Sequence, residues 1–320
     1  MRKAQALKRL ESLDAEKDHL EIVRFVTYHD FHWDMARSLE FALFRTFAIP
    51  TIGELLHATR KFEEKPQKRY DDTDLILSEI LENGYDSPNG KNFLKKLNDI
   101  HHQFNISNDD MLYVLCTFVF EPVKWNLRFG YRKTTEKERM ASYFFWKEMG
   151  KRMGIKNIPG SYEQLGKMYD ECEKTRFKYS EGGLKVAEST INLLLGWYLP
   201  KWTWNFARPF LYVLMDDRLR NTFCYPKPNI VARGIVIGAM RFRAFVMGFW
   251  PIPTTPVLRT KRRIKSYPNG YAIDELGSQP PEDMEEKWRR KSDRLNAKGE
   301  LSASSFEKGA TKGQTSGLDK

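Results

Sequence analysis

Residues 91–125, KNFLKKLNDIHHQFNISNDDMLYVLCTFVFEPVKW, contain two helical segments of different character and a histidine pair between them. The apolar residues of the first segment follow the i, i+3, i+4, i+7 spacing of a helix with one buried face: Phe93, Leu94, Leu97, Ile100 and Phe104. His101 falls within that stripe, whereas His102 is turned about 100° away, toward the polar side. The spacing therefore predicts that one imidazole points into the core. A hydrogen-bonded core histidine and a metal-ligating histidine both satisfy this pattern.

The second segment is apolar on nearly every side over residues 111–120, which is typical of a helix buried on all sides. Glu121-Pro122 predicts a break or kink after it. Elsewhere in the chain, 3.6-residue spacing of apolar residues is far commoner than alternation. We therefore predict an all-α protein with a multi-helix core.

The composition limits the class of protein. The chain has 320 residues and is 41% hydrophobic, enough for one large core or two smaller ones. A net charge of +11 and a pI near 9.4 favour an anionic partner, such as nucleic acid, a membrane surface or an acidic cofactor, although a basic solvated surface has the same composition. The three cysteines have neither paired nor C-x-x-C spacing, so no disulfide framework or structural zinc site is expected.

The chain divides into three segments by composition. Residues 1–22 are charged and lack the apolar region of a signal peptide, and we predict a charged helical leader there. Residues 23–276 form the predicted folded domain. Residues 277–320 are polar, with Pro280-Pro281 and then Ser, Gly and Lys, which is typical of a disordered tail. No run reaches about 18 uncharged apolar residues, so no membrane-spanning helix is expected.

One apolar stretch near the C-terminus has the pattern of an interfacial helix. It runs from Ile230 to Pro253, with three arginines on one side of the helical wheel (Arg233, Arg241 and Arg243) and an opposite apolar face of Ile235, Phe242, Val246 and Phe249. A basic run from Arg259 to Lys265 follows. An apolar face beside lysine and arginine favours a membrane surface as partner, and an ordinary surface helix is the alternative.

All six histidines lie in the first third of the chain, so imidazole chemistry must use that third. A di-iron carboxylate bundle needs two Glu-x-x-His motifs and two further glutamates; the chain contains Glu16–His19 and Glu54–His57, but the first lies in the charged leader. A second candidate, a small metal site, has four members: His29, Asp30, His32 and Asp34. Neither a P-loop, a G-x-G-x-x-G nor a G-x-S-x-G is present, and no nucleic-acid-binding module is recognisable, so no nucleic-acid partner is expected.

A haem site remains as the third candidate. Haem b needs a buried helical histidine, an apolar pocket and a cation for its propionates. His101, the helix of residues 111–120 and Arg69 can supply these. Arg69 and Thr73 are four residues apart and share a helix face if their helix begins early enough. If Asp71 caps that helix instead, Arg69 lies just outside it.

Five strings of the sequence, in order, resemble the MpaB-type oxygenases, which share a catalytic domain with the latex-clearing rubber oxygenases. The resemblance covers about Phe25 to Leu276, and its strings are RSLEFALFRTFAIPTIGELLHAT (37–59), KRYDDTDLIL (68–77), IHHQFNISNDDMLYVLCTFVFEPVKW (100–125), EKERMASYFFWKEMGKRMGI (136–155) and MDDRLRNTFCYPKP (215–228). It implies a globin-like helical core enclosing one haem b, and dioxygen-dependent cleavage of a carbon–carbon double bond in a prenylated or other olefinic substrate. The catalytic domain would then be residues 23–276.

The resemblance also implies roles for individual residues. The proximal histidine, the axial ligand of the haem iron, falls on His101, and not on His102. The arginine–threonine pair of the preceding helix falls on Arg69 and Thr73, as a catalytic pair with the arginine also binding the cofactor. Rubber oxygenases have a lysine just before that threonine that can close the distal side, and here that position is Asp72. A distal glutamate of those enzymes corresponds only loosely to Glu54.

The same resemblance implies association with the endoplasmic reticulum membrane on its cytosolic face. Fungal relatives carry a membrane anchor ahead of the leader, and this chain begins after that point; a protein without any anchor would be cytoplasmic. Two other functions fit the sequence. One is a haem protein of the same fold without cleavage activity, and the other is a basic, non-catalytic membrane-surface protein.

Overall fold

The computed structural model describes residues 3–277, and within that range it contains fourteen α-helices and no β-strand. The predicted all-α class is confirmed. The helices are α1 (Lys3–Glu11), α2 (His19–Phe25), α3 (His32–Thr46), α4 (Pro50–Ala58), α5 (Lys61–Glu64), α6 (Pro66–Asn83), α7 (Pro88–His102), α8 (Asn108–Phe129), α9 (Glu136–Arg152), α10 (Tyr162–Arg176), α11 (Glu181–Gly196), α12 (Trp204–Tyr212), α13 (Asp217–Thr222) and α14 (Ile230–Phe249).

Helix α8 is the central element and packs against α3, α9 and α10. Its buried side chains point in all directions, because the segment is apolar nearly all round, and Cys116 and Val119 are completely buried. The hydroxyl of Ser107 caps its start by accepting the N–H of Asp110 at 3.1 Å. The helix continues through Pro122 to Phe129, so the predicted interruption does not end it.

The predicted leader is not one helix. The Asp14 carboxylate accepts the backbone N–H groups of Glu16 and Lys17 at 3.0 and 2.8 Å, and this turn separates α1 from α2. Ala6 and Leu10 of α1 are buried in the main core, so α1 packs as part of the folded body.

Two apolar cores share helix α3. The larger one centres on α8 and includes α2, α6, α7 and α9, and the smaller one lies between α3, α11, α12 and α13. A buried ionic network connects them: Arg45 of α3 pairs with Glu173 of α10 at 2.7 Å and with Asp216, which caps α13. The Tyr113 hydroxyl donates to Glu173 at 3.2 Å, and the Tyr169 hydroxyl donates at 2.7 Å to Glu121, which lies 3.4 Å from Arg45.

Two further predictions concern the C-terminal tail and membrane-spanning helices. The predicted disordered tail, residues 277–320, lies outside the described residues except for Gly277. Among the helices that are described, none is long and apolar enough to cross a bilayer.

Candidate functional site

His101 lies at the end of α7, on the side of the helix that faces the body of the protein. α7 begins with Pro88, and the Ser87 hydroxyl accepts the N–H of Gly90 at 3.0 Å as its cap. Because α7 packs against α6, its apolar stripe is covered, and His101 is half-buried while His102 is exposed. The prediction that only one imidazole of the pair faces inward is confirmed.

The environment of His101 keeps its imidazole neutral. Burial, the positive charge of Arg69 and the charge of His102 together lower the pKa of His101 to about 4. Its Nδ1 atom is buried and has no hydrogen-bond partner among the described residues. A neutral imidazole with an unused ring nitrogen is the state in which histidine binds a metal.

Among the charged groups that lower the pKa of His101, Arg69 has the largest effect. Since α6 begins at Pro66, Arg69 and Thr73 lie in one helix, and Asp71 is not its cap. The guanidinium donates to the Thr73 hydroxyl, which donates in turn to the Arg69 carbonyl at 3.1 Å. It also lies 5.2 Å from the centre of the Phe62 ring. Burial lowers the pKa of Arg69.

No carboxylate in residues 3–277 forms an ion pair with Arg69. A buried cation without a counter-ion is unfavourable, because it loses its hydration and gains no opposite charge. The pair of Arg69 and His101 therefore combines a metal-binding nitrogen with an unused positive charge that suits an anion.

The carboxylate of Asp72 is bound by other residues of the protein. Its buried carboxylate binds Lys68 Nζ at 2.9 Å and accepts the hydroxyl of Tyr267. Lys68 also donates to the carbonyl of Glu275 at 3.0 Å. The position that carries a lysine in rubber oxygenases is therefore used here to bind the C-terminal part of the domain.

That C-terminal part, residues 259–276, is called the strap here, and it lies along the outer face of α6. Arg259 pairs with Asp74 at 2.6 Å, the N–H of Ser266 binds Asp71 at 3.0 Å, and Tyr271 donates to Glu79 at 2.6 Å. Sequence reasoning missed the strap, although the acidic residues at 71, 72, 74 and 79 marked a charged helix face. The sequence analysis also placed Arg259 in a basic run suited to a membrane surface, whereas its guanidinium pairs with Asp74 of α6.

The other histidine and carboxylate candidates do not come together. No cluster of three or more potential metal ligands occurs within the described range. His57 binds Glu63 at 2.8 Å, and Glu54 is exposed and accepts the N–H of Gly182 at 2.9 Å, in the first turn of α11. His19 hydrogen-bonds Tyr85 and is not part of a cluster with Glu54 and His57.

The four-residue candidate near His29 is also excluded. Asp30 pairs with Arg132, and Asp34 accepts both guanidinium nitrogens of Arg243 at 2.9 and 3.0 Å. The Nδ1 atom of His29 lies 2.8 Å from the carbonyl oxygen of Pro253. Each carboxylate therefore serves a structural ion pair, and these four residues do not form a metal-binding cluster.

Helix α14 exposes its apolar face, as an interfacial helix does. The exposed fractions are 54% for Ile235, 70% for Phe242, 37% for Val246 and 78% for Phe249. On the other side, Arg243 binds Asp34 and lies 3.8 Å from the Trp33 ring, so this arginine attaches α14 to the body. Trp202 and Phe206, next to and within α12, are 85% and 77% exposed. Together these side chains are called the α12–α14 apolar surface.

Comparison with known families decides the classification. Residues 33–246 match the family described as ER-bound oxygenase mpaB/B'/Rubber oxygenase, catalytic domain. The chain belongs to this family. The match includes Arg69, Thr73 and His101 and ends within α14, so the strap lies beyond it.

Individual relatives come from Penicillium. The chain is 29% identical over 247 residues to the ER-bound oxygenase mpaB' of Penicillium brevicompactum, an alignment that covers 72% of this chain and 58% of the relative. It is 28% identical over 229 residues to the ER-bound oxygenase mpaB of Penicillium roqueforti, covering 66% of this chain and 76% of that relative. The chain thus spans less than two thirds of the length of the first of these relatives.

Proposed function

We propose that this protein is a haem b-dependent oxygenase that uses dioxygen to cleave a carbon–carbon double bond in a prenyl or other olefinic chain. The proposal rests on neutral, inward-facing His101 and on the nearby guanidinium of Arg69, which has no carboxylate partner in the part of the chain that the structure describes. The family relationship supports the oxygenase class, since the relatives are named oxygenases.

The residues present fit a haem. An axial ligand must offer a neutral imidazole nitrogen, and His101 has a buried ring nitrogen without a partner. A haem carries two propionate carboxylates, and Arg69 is a partly buried cation without a carboxylate partner among the described residues. Leu97 and Ile100 of α7 and Met111 of α8 are only partly buried and pack against the main core, so apolar surface is present on the helices on either side of the His101 segment.

The chain's own residues would do three things. His101 would hold the iron through a ring nitrogen that stays unprotonated above a pH of about 4. Arg69 would bind a propionate or orient dioxygen, and Thr73 keeps its guanidinium in place through their mutual hydrogen bonds. The apolar surroundings would admit a prenyl chain and exclude water. A bound haem would supply the activation of dioxygen and the breaking of the double bond.

We further propose that the protein works at the cytosolic face of the endoplasmic reticulum membrane, where a prenylated substrate partitions. The exposed α12–α14 apolar surface supports membrane association, because the free energy falls when a bilayer removes exposed apolar side chains from water. The exposed members of the basic run, including Lys261 and Arg263, are suited to anionic lipids. The relatives are named ER-bound.

The absorption spectrum of the purified, haem-supplied protein tests the cofactor. We expect a Soret band in the wild type and in His102→Ala, and its loss in His101→Ala, since only His101 faces inward. His102→Ala is the matched control because it removes the same side chain one residue away. A Soret band lost in His102→Ala and retained in His101→Ala would move the axial ligand to His102.

A product assay distinguishes cleavage from haem binding alone. The haem-loaded protein is incubated with a prenylated substrate and dioxygen, and mass spectrometry is used to find two carbonyl products. Their absence across prenylated substrates would favour a non-cleaving haem protein of the same fold. A protein that binds vesicles but takes up no haem would instead be a basic, non-catalytic membrane-surface protein.

A further inference from the structure

A cleft with a volume of about 530 Å³ lies at the start of α6. It is formed by Pro66 and Gln67, the last turns of α11 and the segment 197–204, and Lys265 of the strap lies at one side. None of Arg69, Thr73 and His101 lines it.

The charge in this cleft is positive. Neither Lys201 nor Lys265 forms an ion pair with any residue in the described part of the chain. The Lys265 ammonium lies 5.4 Å from the centre of the Trp197 ring, which holds it over the cleft by a cation–π contact. The one carboxylate in the wall, Glu63, binds His57 at 2.8 Å. The cleft therefore has two ammonium groups and a single carboxylate, and that carboxylate is hydrogen-bonded to His57.

The margin of the cleft is aromatic and exposed. Tyr198 and Trp202, in the segment that forms one wall, have exposed fractions of 73% and 85%. Phe206, one helical turn further, is 77% exposed. Tryptophan and tyrosine are the side chains that favour the level of the lipid headgroups. The cleft therefore opens within the same segment that contributes to the α12–α14 apolar surface.

We infer that this cleft binds the phosphate headgroup of an anionic membrane phospholipid. Lys201 and Lys265 would contact the phosphate oxygens, and Tyr198, Trp202 and Phe206 would lie against the glycerol and acyl region of the bilayer. This inference rests on the proposed membrane association. It adds a lipid preference and an orientation, with the start of α6 toward the headgroups.

Vesicle flotation of the full chain tests the inference. The probes are vesicles of phosphatidylcholine alone and of phosphatidylcholine with phosphatidic acid, at low salt and at about 0.5 M salt, where the Debye length is roughly 4 Å. At the higher salt, attraction between charges further apart than the Debye length is screened, whereas a lysine in direct contact with a phosphate lies within that distance. We expect the wild type to keep its preference for phosphatidic acid at high salt.

The variant Lys201→Glu/Lys265→Glu should lose that preference by about thirtyfold in affinity, while its binding to phosphatidylcholine alone is retained. The matched control Lys167→Glu/Lys174→Glu makes the same change in net charge on exposed residues of α10, outside both the cleft and the basic run, and it should keep the preference at high salt. An equal loss of the preference in both variants would overturn the inference, because it would show that the overall surface charge, and not the cleft, determines the preference.

Two further outcomes would also count against the inference. If the full chain binds inorganic phosphate through Lys201 and Lys265 but shows no preference for vesicles with phosphatidic acid, the ligand is a free phosphate and not a lipid. If the wild type binds neither kind of vesicle, the proposed membrane association itself fails, and a Soret band in the same sample shows that the haem proposal is unaffected.

Discussion

The imidazole of His101 illustrates how position within a helix sets the chemistry of a residue. Its neighbour His102 has the same side chain but is exposed, and no covered helix face surrounds it. For His101, desolvation disfavours the imidazolium, and the nearby charge of Arg69 disfavours it further. The two effects act in the same direction, so the neutral form suited to metal binding is the resting state.

The lowered pKa of His101 predicts a pH dependence of stability in the haem-free protein. The folded pKa of about 4 lies below the ordinary value of 6.5, so between these two values the unfolded chain binds the proton more readily. Stability is therefore fully present above pH 6.5 and falls as the pH falls through that window. Urea unfolding at about pH 7 and pH 5 should show a loss of about 2 kcal/mol from this group.

His101→Ala is the comparison for this measurement, because alanine does not titrate. The variant should lose about 2 kcal/mol less than the wild type over the same pH range. Equal losses in the two proteins would show that His101 titrates normally and is not desolvated. Measuring the difference between them removes the contributions of the other titrating groups.

At the scale of elements, the strap shows how the acidic face of α6 is used. The carboxylates of Asp71, Asp72, Asp74 and Glu79 point away from the face that carries Arg69 and Thr73, and each binds a strap residue. A helix bound on both sides has little freedom to rotate or shift. We therefore expect the strap to fix the position of the Arg69 guanidinium, although it lies beyond the part of the chain that matches the family.

Removing Arg259 tests this arrangement. Arg259→Ala leaves Asp74 without its partner, and we expect the free energy of unfolding to fall by about 3 kcal/mol, as for other largely buried ion pairs. Arg263→Ala, an exposed neighbour in the same basic run, should change it by less than about 0.5 kcal/mol. Urea unfolding gives both values.

The double variant Arg259→Ala/Asp74→Ala separates the ion pair from other effects of the substitution. If the pair is responsible, removing Asp74 as well should restore part of the lost stability, because no unpaired carboxylate remains. A double variant as unstable as the sum of the two single ones would show that Arg259 and Asp74 act independently.

At the scale of the whole molecule, the apolar surface is unevenly distributed. Most large apolar side chains of the described residues are in the two cores, yet α14 buries only Ala232 and exposes phenylalanines along its length. Exposed apolar surface of this kind marks a contact with another apolar body. The position of α14, attached through Arg243 to Asp34, holds that surface outward.

Vesicle binding measures the contribution of this surface. Phe242→Asp/Phe249→Asp replaces two of its most exposed rings by carboxylates and should weaken binding to phosphatidylcholine vesicles by at least about a hundredfold. Tyr179→Asp, a substitution of an exposed aromatic residue outside α14, is the control and should bind as the wild type does. Unchanged binding of the α14 variant would show that this surface does not contact the bilayer.

The amino-acid sequence by itself determined the properties that depend on local spacing. The all-α class, the buried α8, the inward His101 and the apolar face of α14 all follow from apolar residues at helical intervals, because a helix repeats every 3.6 residues. The family also followed from short strings in a fixed order, and the match over residues 33–246 agrees with it.

Only the tertiary structure decided which charges meet. Arg259 and Asp74 are 185 positions apart in the chain, and Glu54 and Gly182 are 128 apart, so no local pattern pairs them. The same holds for the absence of a carboxylate partner for Arg69 within residues 3–277 and for the burial of α1 in the core. Periodicity records which side of a helix is apolar, whereas the partner of a polar group depends on which other helix packs there, and that is set by the fold as a whole.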